Sequence, residues 1–532
     1  MMNTVPKINS LPPEVLALIP YFLDSSEDLV KTTHVCRHWR NIFIASPPLW
    51  SLLDNGTMHE ELVTVYIDRC DAALLDVTFS SEDTEEEYET KNHLFVKKLA
   101  PRWANVRTLC FPGVPWRHIV ELSNAIDARL PMLREVNIDV DVDYDDEVDD
   151  VPDPEFVRPF LAGATNLVSF TLLGFNWRTC TLLHFVFPTL THLELQFDEI
   201  RVPSVHELME LFRNSPLVED IYFTAADYVQ EMPQSGGHST IPDQFPPVDL
   251  PRLHRVRFDW FMLRSQLTLL SHINYPPTCS VSMKTESMFD VSQPPQNPFP
   301  NSWVVFSLPR LSSVTLRMWR NRHSTECTVI VKELDGPSIS ITHSQHFEGY
   351  FSNPKRDRDD GHVLSAAISL IGKFPLHWIR EFVLEDFKGG EMSKPESFEI
   401  PPLLVKLIRS DLPNLTTLSL TNTCVSELFA ILSPTPLPPH VNIVNPFEEG
   451  GVSESSPPCP ALKVLEMRHP DWVPSRHCPE ILALTKARKC EKVPFERVFL
   501  HSPAVPLSIT KGMSLHVEHI EIQRLCCQDC AK

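Results

Sequence analysis

Apolar residues recur along most of the chain in the pattern L-x-x-L-x-L, usually with a proline two residues before the first apolar position. This alternation of apolar and polar side chains is typical of a strand that buries one face. The clearest copies are PMLREVNI (131–138), PTLTHLEL (188–195), PRLHRVRF (251–258), PRLSSVTL (309–316), PNLTTLSL (413–420) and PALKVLEM (460–467). Weaker copies lie at 74–79, 106–111, 167–172, 218–223, 379–384, 495–500 and 517–522.

Most of these predicted strands start 22 to 36 residues after the previous one, while gaps of 58, 68 and 47 residues indicate insertions. Segments with helical spacing lie between strands, at 116–130, 204–214, 362–374 and 478–489. Strand and helix alternating at this period resemble leucine-rich repeats. The resemblance implies an irregular α/β solenoid with a parallel sheet on its concave side. A series of separate small α/β domains is less favoured, because one repeat cannot bury both of its faces.

The predicted repeat region covers residues 55–525 and is followed by a short tail at 526–532. Within it, the long gaps predict loop insertions near 226–250, 262–308, 320–378 and 433–458. The last of these includes the proline-rich stretch SPTPLPPH (433–440). A polyproline ligand is possible there in principle, but we interpret the stretch as part of a loop.

The N-terminal pattern differs, because residues 8–54 have helical spacing. A first helix is expected after Pro12, with Leu16, Ile19 and Leu23 on one face. A second helix, capped by Ser25 or Ser26, is expected to end near Ala45, ahead of Pro47 and Pro48, with Leu29, Cys36, Trp39 and Phe43 on one face. A unit of about 47 residues is too small to bury so much apolar surface alone. The excess predicts contact with a partner.

The segments LPPEVLALI (11–19), VCRHWRNI (35–42) and PPLW (47–50) resemble an F-box in order and spacing. The resemblance implies docking on the Skp-family adaptor of a cullin–RING ubiquitin ligase, through residues at the motif positions: Leu11, Pro12, Glu14, Leu16, Ile19, Leu23, Val35, Cys36, Trp39, Arg40, Ile42, Leu49 and Trp50. Pro20 departs from the family pattern, which usually has a large apolar residue there. Because proline cannot donate a backbone hydrogen bond, we expect the first helix to stop near Ile19 or to kink.

Charge argues against two classes of partner. The 532 residues carry a formal net charge of −22, which disfavours nucleic acid and anionic membranes as partners. Two runs, EDTEEEYE (82–89) and DVDVDYDDEVDDVPD (139–153), contribute fifteen acidic residues and no lysine or arginine.

Cysteine usage and the N-terminus bear on the compartment. The 13 cysteines are scattered, which is typical of reduced thiols. The N-terminus has no apolar signal segment, and no run of 18 apolar residues follows. We therefore expect a soluble protein of the cytoplasm, the nucleus or both.

Two segments could bind metal in principle. The acidic run from Asp139 to Asp150 faintly resembles a calcium loop, but its sixth position is Tyr144 instead of glycine and its twelfth is Asp150 instead of glutamate. The C-terminal segment brings together possible zinc ligands, but not as two close-spaced pairs across a longer loop: His516, His519, Cys526, Cys527 and Cys530. A solvated acidic rim and a reduced tail are the favoured interpretations, so we expect no cofactor.

No catalytic motif is present in the sequence, including the nucleophile elbow, the Walker motif, the zincin motif and the dinucleotide fingerprint. With the F-box resemblance, this predicts a non-enzymatic substrate receptor of a cullin–RING ligase, with the repeats holding a target protein. Two alternatives stay open. One is a scaffold that binds the adaptor without delivering a target, and the other is a metal or thiol enzyme using the C-terminal cysteines.

The residue between the last two apolar positions of each repeat should face the concave surface. Those residues are Cys110, Asn137, Thr171, Glu194, Tyr222, Arg257, Thr315, Val383, Ser419, Glu466, Phe499 and Glu521, and the next outward positions add Asp259, Arg317, Arg468 and His501. Arginine and large aromatic residues are common interface anchors. We therefore predict that the target binds near Tyr222, Arg257, Asp259, Arg317 and Trp319.

Overall fold

The structure is a computed structural model of the chain. It describes residues 8, 11–22, 26–80, 85–126, 129–141, 157–175, 185–197, 205–225, 246–259, 269–270, 272–276, 278–287, 311–320, 324–333, 338–346, 367–368, 370–372, 374, 376–387, 402–421, 429, 432–433, 459–468, 474–501, 505 and 507–523. The chain divides into two compact units. Unit 1 comprises Met1–Phe261 and Ser265–Pro276, and unit 2 comprises Met262–Arg264 and Pro277–Lys532. The N-terminal helices therefore belong to the same unit as the first strands.

Unit 1 begins with short helices: α1 (Pro13–Leu16), α2 (Ser26–Thr32) and α3 (Arg37–Ile44). The prediction of a single second helix is wrong, because residues 33–36 separate α2 from α3. The hydroxyls of Thr32 and Thr33 donate to the carbonyls of Leu29 and Val30 at 2.6 and 2.7 Å, in competition with the backbone. Cys36 then starts α3 as its N-cap, and its sulfur accepts the N–H of Trp39 at 3.5 Å.

Of the two expectations for Pro20, an early end of the first helix is the one observed. The helix ends at Leu16 instead of near Ile19. A 3₁₀ turn, Ile19–Phe22, follows, and Pro20 is its second residue. The first N–H groups of such a turn have no partner within it, so proline is compatible with this position. No kinked long helix forms.

The strands of unit 1 form a parallel sheet with a small two-stranded sheet beside it. The strands are β1 (Leu52–Asp54), β2 (Leu75–Thr78), β3 (Val106–Pro115), β4 (Glu135–Asp141), β5 (Ser169–Phe175), β6 (His192–Phe197), β7 (Asp220–Ala225), β8 (Val248–Asp249), β9 (Arg255–Asp259) and β10 (Ile273–Asn274). From β1 to β7 each strand pairs with the next in chain order, β7 then pairs with β9, and β8 pairs with β10. The helices between them are α4 (Glu60–Arg69), α5 (Glu85–Leu99), α6 (Trp116–Ala125), α7 (Arg158–Leu161) and α8 (Val205–Arg213).

The recurring proline has a structural reason in both units. A backbone N–H···O bond of 3.0–3.3 Å closes a turn before the strand, from each of Leu133, Leu190, Leu253, Leu415 and Leu462 to the carbonyl three residues earlier. The proline occupies the second position of each turn, where its fixed φ is favourable. The leucine that closes the turn is buried, as are the next two apolar positions of each copy. The pattern therefore encodes a turn and the buried face of the following strand.

Aromatic side chains fill the core of unit 1 next to the strand ends. The Phe79 and Phe111 rings stack at 5.0 Å between centroids, and Phe111 also contacts Phe160 at 5.4 Å. Further along the sheet, Phe223 packs against both Phe197 and Phe258 at 5.7 Å. This buried face leaves the alternate, polar side chains of the strands on the opposite face of the sheet.

Unit 2 has a mixed sheet in the order β11, β14, β13, β12, β15, β16, β17, β18, β19. Its strands are β11 (Ser280–Ser287), β12 (Leu311–Arg320), β13 (Ser324–Glu333), β14 (Ser338–His346), β15 (Glu381–Phe387), β16 (Thr417–Thr421), β17 (Val464–Arg468), β18 (Arg497–His501) and β19 (His519–Gln523). Strand β13 is antiparallel to both neighbours, and the other pairs are parallel. The α-helices are α9 (Pro402–Lys406), α10 (Pro474–Cys490) and α11 (Leu507–Met513).

Three segments predicted as loop insertions contain strands. Strands β13 and β14 lie within 320–378, β10 and β11 within 262–308, and β8 within 226–250. Strand β13 pairs antiparallel with both β12 and β14, and neither β13 nor β14 contains an L-x-x-L-x-L unit. Apart from residue 433, the 433–458 segment lies outside the described residues.

Two predicted helices are observed almost as expected, since α6 covers Trp116–Ala125 of 116–130 and α8 covers Val205–Arg213 of 204–214. The segment at 478–489 lies inside α10. The fold is therefore mixed α/β, with N-terminal helices preceding a large β-sheet region, while its assignment to the leucine-rich repeats stays a prediction. None of the helices in the described ranges is long and apolar enough to cross a membrane.

Candidate functional site

Large apolar side chains on the N-terminal helices face solvent. We define the N-terminal apolar surface as Leu11, Val15, Leu18, Phe22 and Val35, all of which are exposed. Phe22, at the end of the turn that contains Pro20, has 85% of its surface exposed, and Val35, between α2 and α3, has 61%. Exposed apolar side chains concentrated in one small segment indicate a protein-binding surface.

Beneath this surface lies a small core that fixes the helices. Leu16 and Phe43 are fully buried, and Trp39 packs edge-on against Phe43 with 5.5 Å between ring centroids. The Nε of Arg40 donates to the carbonyl of Thr33 at 2.9 Å and so ties α3 to the turn after α2. This packing therefore fixes the helices and, with them, the positions of the exposed side chains.

The thirteen residues predicted to bind the adaptor are distributed between surface and core. Leu11, Pro12, Glu14, Val35 and Arg40 are exposed, Ile19, Cys36 and Ile42 are half-buried, and Leu16, Trp39, Leu49 and Trp50 are buried. Leu23 lies outside the described residues. The motif therefore marks both the side chains that hold this region together and some of those that a partner can reach.

Several accessible side chains were absent from the predicted set. Val15, Leu18, Phe22 and Ile44 are exposed apolar residues of the same segment. They lie between the motif positions, so matching the motif could not find them. The available signal was an excess of apolar residues over what one helix face can bury.

The last part of the N-terminal segment joins the sheet of unit 1 directly. The indole N–H of Trp50 donates to the carbonyl of Phe43 at 2.8 Å, and its ring packs edge-on against Tyr66 at 5.0 Å. The guanidinium of Arg69 lies 4.4 Å from the centre of the Trp50 ring. Four residues later, Asp54 ends strand β1, which pairs with β2. Burial raises the pKa of the Tyr66 hydroxyl, which therefore stays neutral in this contact.

A second candidate surface is the polar face of the unit 1 sheet, at the end formed by β7 and β9. Arg257 donates to one oxygen of Asp259 through Nε at 2.9 Å and through Nη2 at 2.6 Å. The hydroxyl of Tyr222 donates to the same oxygen at 3.2 Å, and the Arg257 guanidinium lies 4.8 Å from the Tyr222 ring centre. These three predicted target-binding residues therefore form one cluster.

The three members of this cluster differ in how far solvent reaches them. The Asp259 side chain is nearly buried, whereas the Arg257 side chain is 53% exposed. The pKa of Arg257 is raised mainly by its hydrogen bonds to Asp259. The pKa of Tyr222 is raised mainly by burial. Asp259 therefore holds an exposed cation in a fixed position over an aromatic ring.

The other two predicted target-binding residues belong to unit 2. The Nε of Arg317 on β12 donates to Glu385 on the neighbouring strand β15 at 2.7 Å. Trp319 lies two residues further along β12, and the structure describes only its backbone. Farther along the same sheet, Glu466 accepts from Arg468 at 3.0 Å and contacts His501 at 3.1 Å. The polar face of unit 2 therefore carries paired charges.

Neither candidate metal segment gains support. Within the described ranges, no three His, Cys, Asp or Glu side chains are arranged to hold a metal ion. Residues 142–150 of the acidic run lie outside those ranges, as do Cys526, Cys527 and Cys530. The interpretation of these segments as a solvated acidic rim and a reduced tail stays a prediction.

Comparison with known proteins agrees with the N-terminal geometry. Residues 8–55 match the F-box-like family. A search of curated proteins found no match to the chain. F-box domains typically bind Skp-family adaptors, which indicates an adaptor-binding role in an SCF-type ubiquitin ligase. The short helices, their exposed apolar side chains and strand β1 thus together make up an F-box-like domain.

Proposed function

We propose that the protein is the substrate-recognition subunit of a cullin–RING ubiquitin ligase of the SCF type. The F-box-like domain binds the Skp-family adaptor, and residues 55–525, as a leucine-rich-repeat-like solenoid, bind a target protein. The chain contributes no catalytic residue and acts in the cytoplasm, the nucleus or both. Its contribution to the reaction is proximity, because a held target lysine meets the activated ubiquitin at high effective concentration.

The observation that carries this proposal is the N-terminal apolar surface on a segment that matches an F-box-like domain. Fully burying one such side chain stabilises a complex by about 1.5–3 kcal/mol relative to leaving it in water. Leu18 and Phe22 are more than half exposed and lie outside the small core. They are therefore available to a partner without unfolding of the domain.

Titration of a purified Skp-family adaptor against the chain tests the adaptor half of the proposal. We expect Leu18→Glu with Phe22→Glu to weaken adaptor binding by roughly 100-fold, because two apolar contacts are lost and two charges are desolvated. The matched control is Met132→Glu, since Met132 is an exposed apolar residue of unit 1 outside the F-box-like domain. Equal affinity of the double variant and the control would contradict the proposal.

The target half of the proposal rests on the polar faces of the two sheets. They carry Tyr222 and Arg257 in unit 1 and Arg317 in unit 2, which are residue types common at interface hot spots. A scaffold that binds the adaptor without delivering a target would differ in one measurable respect. Reconstitution with adaptor, cullin, RING protein and ubiquitin should transfer ubiquitin to a captured protein if the chain is a receptor. Assembly of the complex with no transfer to any captured protein would favour the scaffold.

A further inference from the structure

The polar face of the unit 1 sheet carries a continuous row of side chains across its parallel strands. Each member lies opposite the next in the strand register, in the order Asp54, Thr78, Cys110, Asn137, Thr171, Glu194, Tyr222, Arg257. Every member is half-buried or exposed, so solvent reaches the whole row. We call it the cross-strand row. Its middle members are small and uncharged, which leaves room for another chain to lie on the sheet.

Charge is distributed unevenly along this face. Strands β1 to β7 contain a single arginine and no lysine, against seven carboxylates: Asp54, Asp76, Glu135, Asp139, Asp141, Glu194 and Asp220. The one arginine, Arg107, donates from Nε to Asp76 at 2.9 Å and neutralises that carboxylate. The strands of unit 2 differ, because basic residues occur on several of them: Lys284, Arg317, Arg320, Lys332, Arg468 and Arg497.

These carboxylates change the pKa of one side chain of the row, Cys110. The pKa of the Cys110 thiol is raised, first by burial and then by the charges of Glu135, Asp139 and Asp54. Carboxylates on β1 and β4 therefore act on the same point of the sheet between them. Carboxylates therefore outnumber basic residues on strands β1 to β6, and a cationic partner could pair with them.

At the far end of the row, exposed arginine side chains lie next to aspartates. Arg255 and Arg257 on β9 are exposed, and Arg257 is held by Asp259 over the Tyr222 ring. A preorganised arginine loses little side-chain freedom when it binds a carboxylate, which it can grip with two parallel hydrogen bonds. The exposed part of the Arg257 guanidinium is therefore accessible to an acidic side chain of a partner, whereas the Asp259 carboxylate is nearly buried.

We propose that the cross-strand row binds an extended segment of the target protein that carries lysine or arginine opposite β1 to β6 and a carboxylate opposite Arg257. The inference rests on the proposed function, because it names the kind of target segment that the receptor holds. Strands lie about 4.8 Å apart, so β1 to β9 span roughly 34 Å, the length of about ten extended residues. The occupant is therefore a short peptide segment with a basic run and an acidic end.

The test uses the full chain and three fluorescent decapeptides measured by anisotropy at low and physiological salt. The first peptide has four lysines followed by a C-terminal aspartate, and the second has the same composition with the aspartate between the lysines. The third is an uncharged serine–glycine peptide. We expect the first peptide to bind more tightly than the second and the third not to bind. Binding should weaken as salt rises, because exposed charges are screened.

Two matched charge reversals locate the site. Glu135→Lys with Glu194→Lys reverses two charges on the polar face of the unit 1 sheet, and we expect it to weaken binding of the first peptide by roughly tenfold or more. Glu381→Lys with Glu521→Lys makes the same charge change on strands of unit 2, outside the cross-strand row, and we expect it to change binding by less than about twofold. Arg257→Glu should remove the preference for the first peptide over the second.

Equal weakening by both double variants would overturn the inference, because it would indicate general attraction to an acidic protein. Equal binding of the first two peptides by the parent chain would overturn the part assigned to Arg257. The same variants are titrated with the Skp-family adaptor. Adaptor binding without selective peptide binding would sink only this inference, whereas selective peptide binding without adaptor binding would sink the proposed function.

Discussion

Trp50 donates its indole N–H to the backbone carbonyl of Phe43 across 2.8 Å, and both side chains are completely buried. The bond joins the end of α3 to the 3₁₀ turn Pro47–Trp50 that leads into β1. One residue thereby closes the F-box-like domain and anchors it to Tyr66 of the next helix. Trp50 therefore has a structural role in the domain, while its predicted contact with the adaptor stays a prediction.

Truncation of Trp50 should accordingly be costly for stability. We expect Trp50→Ala to lower the free energy of unfolding by about 3–5 kcal/mol and Trp50→Phe by less, because phenylalanine keeps most of the packing and loses the hydrogen bond. Chemical denaturation followed by circular dichroism measures the difference. Leu52→Ala is the control, since Leu52 is mostly exposed and should change stability by less than about 0.5 kcal/mol. A loss for Trp50→Ala no larger than for the control would contradict this role.

Replacement of Pro20 should bring no gain in adaptor binding. Pro20 is the second residue of a 3₁₀ turn and breaks no helical hydrogen bond there. We expect Pro20→Ala to lower the free energy of unfolding by about 0.4–1 kcal/mol, because the unfolded chain gains freedom. Titration with the adaptor should give equal affinities for the parent and for Pro20→Phe. Tighter binding by Pro20→Phe would show that the proline does weaken the domain.

The thiol of Cys110 reports the potential on the unit 1 sheet. Its pKa is raised by burial and by three carboxylates, of which Glu135 comes first. Removal of that charge in Glu135→Gln should lower the pKa, raise the thiolate fraction at pH 8 and speed alkylation. The rate is measured on the Cys110 peptide by mass spectrometry after timed iodoacetamide treatment. Glu381→Gln, on unit 2, should leave this rate unchanged. Equal alkylation rates in the parent and both variants would show that Glu135 does not affect the Cys110 thiol.

Arg488 is a buried cation in α10 with a structural role. Its Nη2 donates to the carbonyls of Cys459 and Leu462 at 3.1 and 3.2 Å, and its guanidinium lies 4.7 Å from the Phe495 ring centre. Burial lowers its pKa to about 10. We expect Arg488→Ala to cost about 3 kcal/mol, because two buried carbonyls lose their donor and a cavity forms. Thermal unfolding is compared with Lys489→Ala, an exposed neighbour, and similar melting temperatures would count against this role.

The strands that could be predicted from sequence are those in which two local signals agree. At Pro251–Leu253, for example, the proline fixes a turn and the alternation then sets the buried face of β9. Strands β13 and β14 could not be found this way, since neither contains the L-x-x-L-x-L pattern and they pair antiparallel with each other. The break between α2 and α3 was also missed, because the apolar spacing does not show the side-chain hydrogen bonds that Thr32 and Thr33 make to the carbonyls of Leu29 and Val30 at this point.

The candidate sites were predictable to a different degree. The cluster of Tyr222, Arg257 and Asp259 followed from alternation along two neighbouring strands. For the adaptor-binding set, the sequence could not separate core residues from contact residues. An apolar residue on a helix face has the same spacing whether it packs against its own chain or against a partner. Trp39 packs against Phe43, whereas Phe22 is exposed to solvent, and only the tertiary structure distinguishes the two.

Strand β1 has a practical consequence for experiments that remove the F-box-like domain. The match to that domain ends at residue 55, yet Leu52–Asp54 supply the partner strand of β2. Cutting the chain at the end of the domain would strip one edge of the sheet and expose the backbone N–H and C=O groups of β2, which is a template for aggregation. A truncated protein that fails to capture a target would then say nothing about recognition. Leu18→Glu with Phe22→Glu separates the two activities while every strand keeps its neighbour.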